Sequence, residues 1–215
     1  MARSAQNKIT AEDHQRITQA IREMEKRTSG EIFAVVAQQS DDYFFVAGFM
    51  AGLWSMLLGC VLAIAAILLD ASFSLLALAV AQLASFASFL AIFWFSPEIR
   101  LWFVPRSVAY RRSSNNAVRQ FLAHGIHTTS DRSGVLIFVS LAEHYAEIVA
   151  DEGINEKVVQ SQWDAMISVM IDHARRGKLA DGFVEVITQA GGLLEAHFPK
   201  QDGQQNELDD RLIEI

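Results

Sequence analysis

The chain reads as an α/β protein, an α/β/α sandwich around a small mixed sheet, interrupted by a two-helix transmembrane hairpin. Three observations predict this. Two short apolar runs, Glu31 to Ala37 and Gly134 to Ser140, have the length and β-branched content of buried strands. Helix-periodic segments flank both, as a strand covered on each face requires. Between the two runs, from Phe44 to Phe95, the one charged residue is Asp70.

The elements follow in order. Thr10-Ala11-Glu12-Asp13 has the form of a capping box, with Asp in place of Glu. Ile17, Ile21 and Met24 follow at helical spacing, and Thr28-Ser29-Gly30 ends that helix. The strand Glu31 to Ala37 comes next. Two apolar arms then run over about 44–69 and 73–95. An apolar helix needs about 20 residues to cross a hydrocarbon core of about 30 Å, so each arm is long enough. Small residues (Gly48, Ala51, Gly52 and Ser55 in the first arm, Ala81 and Ser85 in the second) let the two helices pack closely. The hairpin starts after some forty polar residues, without the basic flank of a signal peptide.

Beyond the hairpin, Asn116 to Ile126 forms a helix with Val118, Phe121 and Leu122 as its apolar face. Gly134 to Ser140 is the central strand. A three-residue link leads to a second strand, His144 to Ala150, and Asp151-Glu152-Gly153 ends it. Two amphipathic helices close the domain, one on Trp163, Met166 and Met170, the other on Phe183, Ile187, Ala190 and Leu194. The domain thus divides into residues 1–42 and 98–199, with 43–97 as the hairpin. Residues 200–215 read as an acidic, flexible tail. An antiparallel hairpin returns the chain to where it left, so such an insertion leaves one domain whole.

Charge orients the hairpin. Its turn has no Lys or Arg, whereas Lys26 and Arg27 precede it and Arg100, Arg106, Arg111 and Arg112 follow. Basic residues near membrane ends mark the cytoplasmic side, so both termini are expected there. The chain has 215 residues and a formal charge of -7, which argues against nucleic acid as a partner. The arginine cluster suits the anionic lipid of the bilayer. The single cysteine, Cys60, lies in the first arm and excludes an internal disulfide.

No phosphate-cradling loop, HExxH, GxSxG or paired CxxC is present. Candidate chemistry therefore falls to acidic residues at strand ends. Asp131, Glu143 and Asp151, with Glu31 and Glu152 behind them, are candidate ligands for Ca²⁺ or Mg²⁺, which prefer oxygen donors. The alternative for each is a solvated turn residue or helix cap. His124 and His127 would share a metal only on a continuous helix, and Gly125 between them ends one. Gln82 is the one polar side chain of the mid-membrane region able to line a path, so a transporter is not expected.

Four local features carry a family resemblance. They are the first helix running into Thr28-Ser29-Gly30-Glu31-Ile32, the turn Asp131-Arg132-Ser133-Gly134 before its strand, the tight link at Glu143 into Ile148-Val149-Ala150-Asp151, and the closing helices with Gly177, Gly182-Phe183 and Gly191-Gly192. Together they resemble the TPM-domain family. The resemblance implies an α/β/α sandwich, with phosphatase activity, divalent-cation binding, or assembly and repair of membrane complexes among its members. It favours the neighbourhood of Asp131, Glu143 and Asp151 as the site. The function expected is a cytoplasmic, membrane-anchored domain that binds a partner protein and a divalent cation. The alternative is a metal-dependent phosphatase using those carboxylates.

Overall fold

The computed structural model describes residues 9–70, 72–129, 131–200, 208 and 210–215. These form two compact units, one up to Ser40 and from Tyr110 onward, the other from Asp41 to Ala109.

The first unit is built on a mixed sheet of β1 (Glu31–Ala37), β2 (Gly134–Ser140), β3 (Tyr145–Ala150) and β4 (Leu212–Glu214), in the order β3-β2-β1-β4. Strand β1 (Glu31–Ala37) pairs in parallel with β2 (Gly134–Ser140), in the register Glu31 to Gly134 and Ala37 to Ser140. Strand β3 (Tyr145–Ala150) returns antiparallel to β2. Every residue of β1 and β2 is buried, as their unbroken apolar runs require. Alternation then divides the side chains between two cores. Ile32, Ala34, Val36, Val135, Ile137 and Val139 face one way. They meet helices α1 (Ala11–Glu25), α7 (Gln160–Arg175) and α8 (Leu179–His197). Phe33, Val35, Leu136 and Phe138 face the other way, against Ala117 and Phe121 of α5 (Arg106–Ala123). The sandwich is therefore three-layered, as expected.

Local signals set the element ends. The Thr10 hydroxyl accepts the Asp13 N–H, and the Asp13 carboxylate accepts the Thr10 N–H, which completes the capping box. Gly125 lies in the left-handed region at φ 67° and stops the helical path before Ile126. His124 and His127 consequently sit outside α5. They pack on Phe33 and Phe121 instead of on each other. On α8, Phe183, Ile187, Ala190 and Leu194 are fully buried.

Three expectations need correction. The helix before the central strand begins at Arg106, ten residues ahead of Asn116, and buries Ser113, Ala117 and Phe121, while Val118 and Leu122 are exposed. An i, i+4 row of two small residues and one Phe is a weaker hydrophobic signal than the Val and Leu beside it. The strand expected from His144 begins at Tyr145, because His144 occupies a left-handed turn at φ 51°. The acidic tail is not wholly loose. Leu212–Glu214 forms β4, parallel to Ala34–Val36 of β1, with Leu212 buried. Residues 201–207 and 209 of that stretch lie outside the described residues.

The second unit holds the apolar arms, α2 (Phe44–Leu68) and α3 (Leu75–Phe95), followed by the short α4 (Pro97–Trp102). At 1.5 Å per residue they are about 37 Å and about 31 Å long. Their hydroxyls bond to their own helices: Ser55 to the Gly52 carbonyl, Ser85 to Gln82, Ser88 to Ala84. Ala47, Ala51 and Ser55 form the buried stripe of α2, and the Cα of Gly59 faces Gln82. Gly48 and Gly52 face open space, so the small residues expected at the helix contact are divided between contact and exterior.

Candidate functional site

The first unit has polar groups at both ends of its sheet, and the register separates them. At the end where β1 and β2 begin, Glu31 lies opposite Gly134, and Val135 lies opposite Ala150. Asp131, Asp151 and Glu152 flank these positions. Glu143 lies in the turn between β2 and β3, at the far end. The six steps along β2 put about 20 Å between the two ends. Four of the five candidate carboxylates therefore share an end, and Glu143 is not among them. The expected meeting of Asp131, Glu143 and Asp151 does not occur, because a strand and its antiparallel return place alternate turns on opposite edges.

At the shared end the backbone is tightly drawn. Arg132 adopts a left-handed conformation at φ 48°, its N–H bonded to the Thr129 carbonyl at 3.0 Å. The Thr129 hydroxyl accepts the Ser133 N–H, and the Ser133 hydroxyl donates to the Ser29 carbonyl at 3.2 Å. Gly153 presses on this loop. A Cβ there would stand 2.8 Å from the Arg132 carbonyl oxygen and 3.0 Å from that of Asp131, which no larger residue tolerates without displacing backbone. Asp151 caps the short helix α6 (Glu152–Asn155) by accepting the Glu152 N–H at 2.7 Å. Its other oxygen, Oδ2, is buried and has no hydrogen-bond partner in the structure. Arg132 pairs with Glu152. The corner thus collects the Asp131 and Arg132 carbonyls near Gly153, and one Asp151 oxygen with a lone pair to give. Such oxygens suit a hard cation. Among the described residues, however, no three His, Cys, Asp or Glu side chains come together to hold a metal ion.

Glu143 has a different task. It is buried, and its carboxylate accepts the Ser40 N–H at 2.9 Å and the Ser140 hydroxyl at 2.5 Å. Ser40 and Ser140 hydroxyls are 2.7 Å apart. The side chain so ties the exit of β1 to the β2–β3 turn. Oε1 is taken by the Ser40 N–H and Oε2 by the Ser140 hydroxyl, so both oxygens are engaged in structure.

Two carboxylates and a phenol stand out although no motif marks them. Glu25, on the last turn of α1, is buried, and its Oε1 accepts the Ile32 N–H at 3.0 Å. Strand β4 covers only Ala34–Val36, so the outer edge of β1 at Ile32 needs this side-chain acceptor. Burial pushes the Glu25 carboxyl up to about 9, and the nearby charges of Glu31 and Asp210 add to the shift. On β3, Glu147 accepts a hydrogen bond from Ser114 of α5 at 3.2 Å. Tyr145 beside it is pushed up to about 12, first by burial and then by the Glu147 charge. Local sequence does not reveal either group; only the register of β3 and the end of α1 bring them inward.

Residues 96–193 match the model of the TPM domain. The matched stretch is less than half of the chain. It contains β2, β3 and the closing helices, but not α1 and β1, which complete the same sheet beyond the hairpin. The fold is similar to the NMR structure of the BA42 protein from the psychrophilic bacterium Bizionia argentinensis, at a TM-score of 0.58 and 20% identity, over 96% of this chain and 94% of that one. At that identity the likeness concerns the fold alone. No curated protein matches. Within the matched stretch lie all the candidate carboxylates except Glu31.

Proposed function

We propose that this chain is an integral membrane protein whose hairpin holds the α/β unit at the cytoplasmic face, where that unit binds a partner protein in the assembly or maintenance of a membrane complex. One observation carries the membrane reading. Among the described residues, all exposed large apolar side chains except Tyr110, Val118, Leu122, Val159 and Ile215 lie between Phe44 and Trp102. Leu75 is 86% exposed and Ile67 80%. Soluble proteins rarely expose an apolar surface of this extent, and two helices of bilayer length supply it here. The arginines beyond α3 and the uncharged arms favour the orientation.

The test uses the single native cysteine. In a Cys60→Ala background, Asp70→Cys should react with an impermeant maleimide on intact cells. A cysteine appended after Ile215 should react only after permeabilisation. The reverse pattern would overturn the orientation, and extraction by alkaline carbonate would overturn the membrane reading itself.

A divalent cation at the Asp131–Asp151 corner belongs to the same proposal. Its support is the buried, partnerless Asp151 Oδ2 beside a loop that turns carbonyl oxygens toward Gly153. A ligand bound only by the native state raises the melting temperature by mass action. Millimolar Ca²⁺ or Mg²⁺ should therefore stabilise the full chain in detergent, and Asp151→Asn should remove the response. Phosphatase action at this corner, the second reading, would require phosphate-ester hydrolysis to disappear with the same substitution.

A further inference from the structure

Arg100 lies on α4, directly after the second arm. Its side chain is only 5% exposed. Nε and Nη1 are buried and have no hydrogen-bond partner. The guanidinium carbon stands 4.4 Å from the centroid of the Phe44 ring at the start of α2. Phe44 in turn packs on Trp94, with centroids 4.8 Å apart.

This arrangement is incomplete on physical grounds. Arginine cannot shed its proton to escape burial. A desolvated cation gains less from an aromatic face than an unpaired buried charge costs, and the ring gives the two nitrogens no acceptor in their own plane. The arms supply no anion beside it. From Phe44 to Ser96 the one acidic residue is Asp70, at the opposite end of the arms, and neither Asp41 nor Asp42, just ahead of Phe44, hydrogen-bonds to Nε or Nη1. Glu98, two positions before Arg100, is exposed and makes no ion pair with it.

The surroundings say where the anion comes from. Trp94 and Trp102 are 54% and 87% exposed, on either side of Arg100 in sequence. Exposed tryptophans at the end of an apolar helix mark the level of lipid headgroups. At that level the abundant anion is the phosphodiester, whose paired oxygens match the guanidinium fork. The geometry points to Arg100 as a binding site for the phosphate of a membrane phospholipid, at the level set by Phe44 and Trp94. A rotation of the long side chain brings its buried nitrogens to the headgroup, as arginines near helix ends commonly do. The inference rests on the membrane reading above and adds to it a specific lipid contact, distinct from the diffuse attraction of Arg106, Arg111 and Arg112 to an anionic surface.

The experiment uses the full chain in an uncharged detergent. Thermal unfolding is followed on adding dioleoylphosphatidylglycerol, dioleoylglycerol with the same tails, or inorganic phosphate. The phospholipid alone should raise the melting temperature, and native mass spectrometry should find one retained lipid per chain. Arg100→Gln should lose the shift and retain the lipid about tenfold less well, while melting no lower than the parent without lipid, because it removes an unpaired charge. Arg100→Lys should keep part of the shift. Equal stabilisation by dioleoylglycerol, or an unchanged shift in Arg100→Gln, overturns the inference. So does stabilisation by inorganic phosphate alone, which would assign the site to a soluble anion. The wild-type arms decide the matter even if the Gln variant does not accumulate. Carbonate resistance separates the two readings: a chain that stays in the membrane yet ignores the phosphate refutes only the Arg100 site.

Discussion

The two units solve opposite problems with the same residue types. In the α/β unit the apolar side chains turn inward, and Phe183, Ile137 and Leu136 are fully buried. In the hairpin unit most of those on the arms turn outward, and among the described residues of the two arms just Val46, Ala47, Ala51 and Ser55 on α2 and Phe93 on α3 are buried. Stability of the first comes from its own core. The second leaves its apolar faces bare, so they remain for other apolar matter to cover.

The sharpest way to break this contrast is to truncate one large apolar residue in each unit. Phe183→Ala should cost about 3–5 kcal/mol of unfolding free energy, measured by denaturant titration. Leu62→Ala, at a 48% exposed position of α2, should leave the same transition unmoved. Leu62→Arg should instead act on insertion, at about 3 kcal/mol, read as loss of membrane-integrated protein. Equal effects of the two alanine changes on the unfolding transition would mean that the arms are packed like a soluble core.

The next test concerns pH. Glu25 has a folded value near 9, above its ordinary 4.5. A raised carboxyl means that the folded state holds the proton more tightly. Its contribution is therefore complete below pH 4.5 and is lost as pH rises toward 9, by no more than about 1.4 kcal/mol per pH unit. Glu25→Gln, neutral throughout, should match the parent near pH 4.5 and become progressively more stable than it up to pH 9. Urea midpoints at three pH values decide this, and parallel profiles would show Glu25 to be solvated. The hairpin has no counterpart to this titration, having no buried acid.

Glu143→Ala should cost about 1–3 kcal/mol, since it strands the Ser40 N–H and takes one of the two partners of the Ser140 hydroxyl. Glu143→Gln should recover part of that loss, and neither change should alter any response to Ca²⁺. A lost cation response would return Glu143 to the metal site. The smallest effects separate two adjacent glycines of α8. A Cβ on Gly191 would stand 2.4 Å from Met24 Cγ, whereas one on Gly192 meets nothing within 4 Å. Gly191→Ala should destabilise by about 1–3 kcal/mol. Gly192→Ala should stabilise by up to about 1 kcal/mol through helix propensity. Similar outcomes would mean that α1 and α8 do not approach as closely as Met24 and Gly191 indicate.

How much of this was legible in the sequence depends on whether the signal was local. Strands β1 and β2 and both arms follow from runs of one residue class, and their bounds agree with the reading to within two residues at each end. The capping box at Thr10 and the helix stop at Gly125 are likewise local. The site was less legible. Glu143 lies twelve residues after Asp131 and eight before Asp151, a spacing that suggests proximity. A seven-residue strand between the turns instead sends Glu143 to the other edge. Glu25 and Arg100 were missed because burial of a charge is decided by which neighbours close over it. β4 escaped notice because an acidic tail with four apolar residues has no strand signal until β1 offers it an open edge.

The parallel pairing of β1 with β2 also bears on how the molecule is made. The two strands are separated in sequence by both arms, α4 and α5, and β1 leaves the ribosome first. Until β2 follows, β1 is a bare seven-residue apolar strand with neither partner nor cover, which is the form most prone to aggregate. Contacts this distant in sequence also form slowly. The hairpin, complete within itself, can be settled while β1 still waits. Folding of this protein therefore has a built-in order, with the interrupted sheet closing after the hairpin.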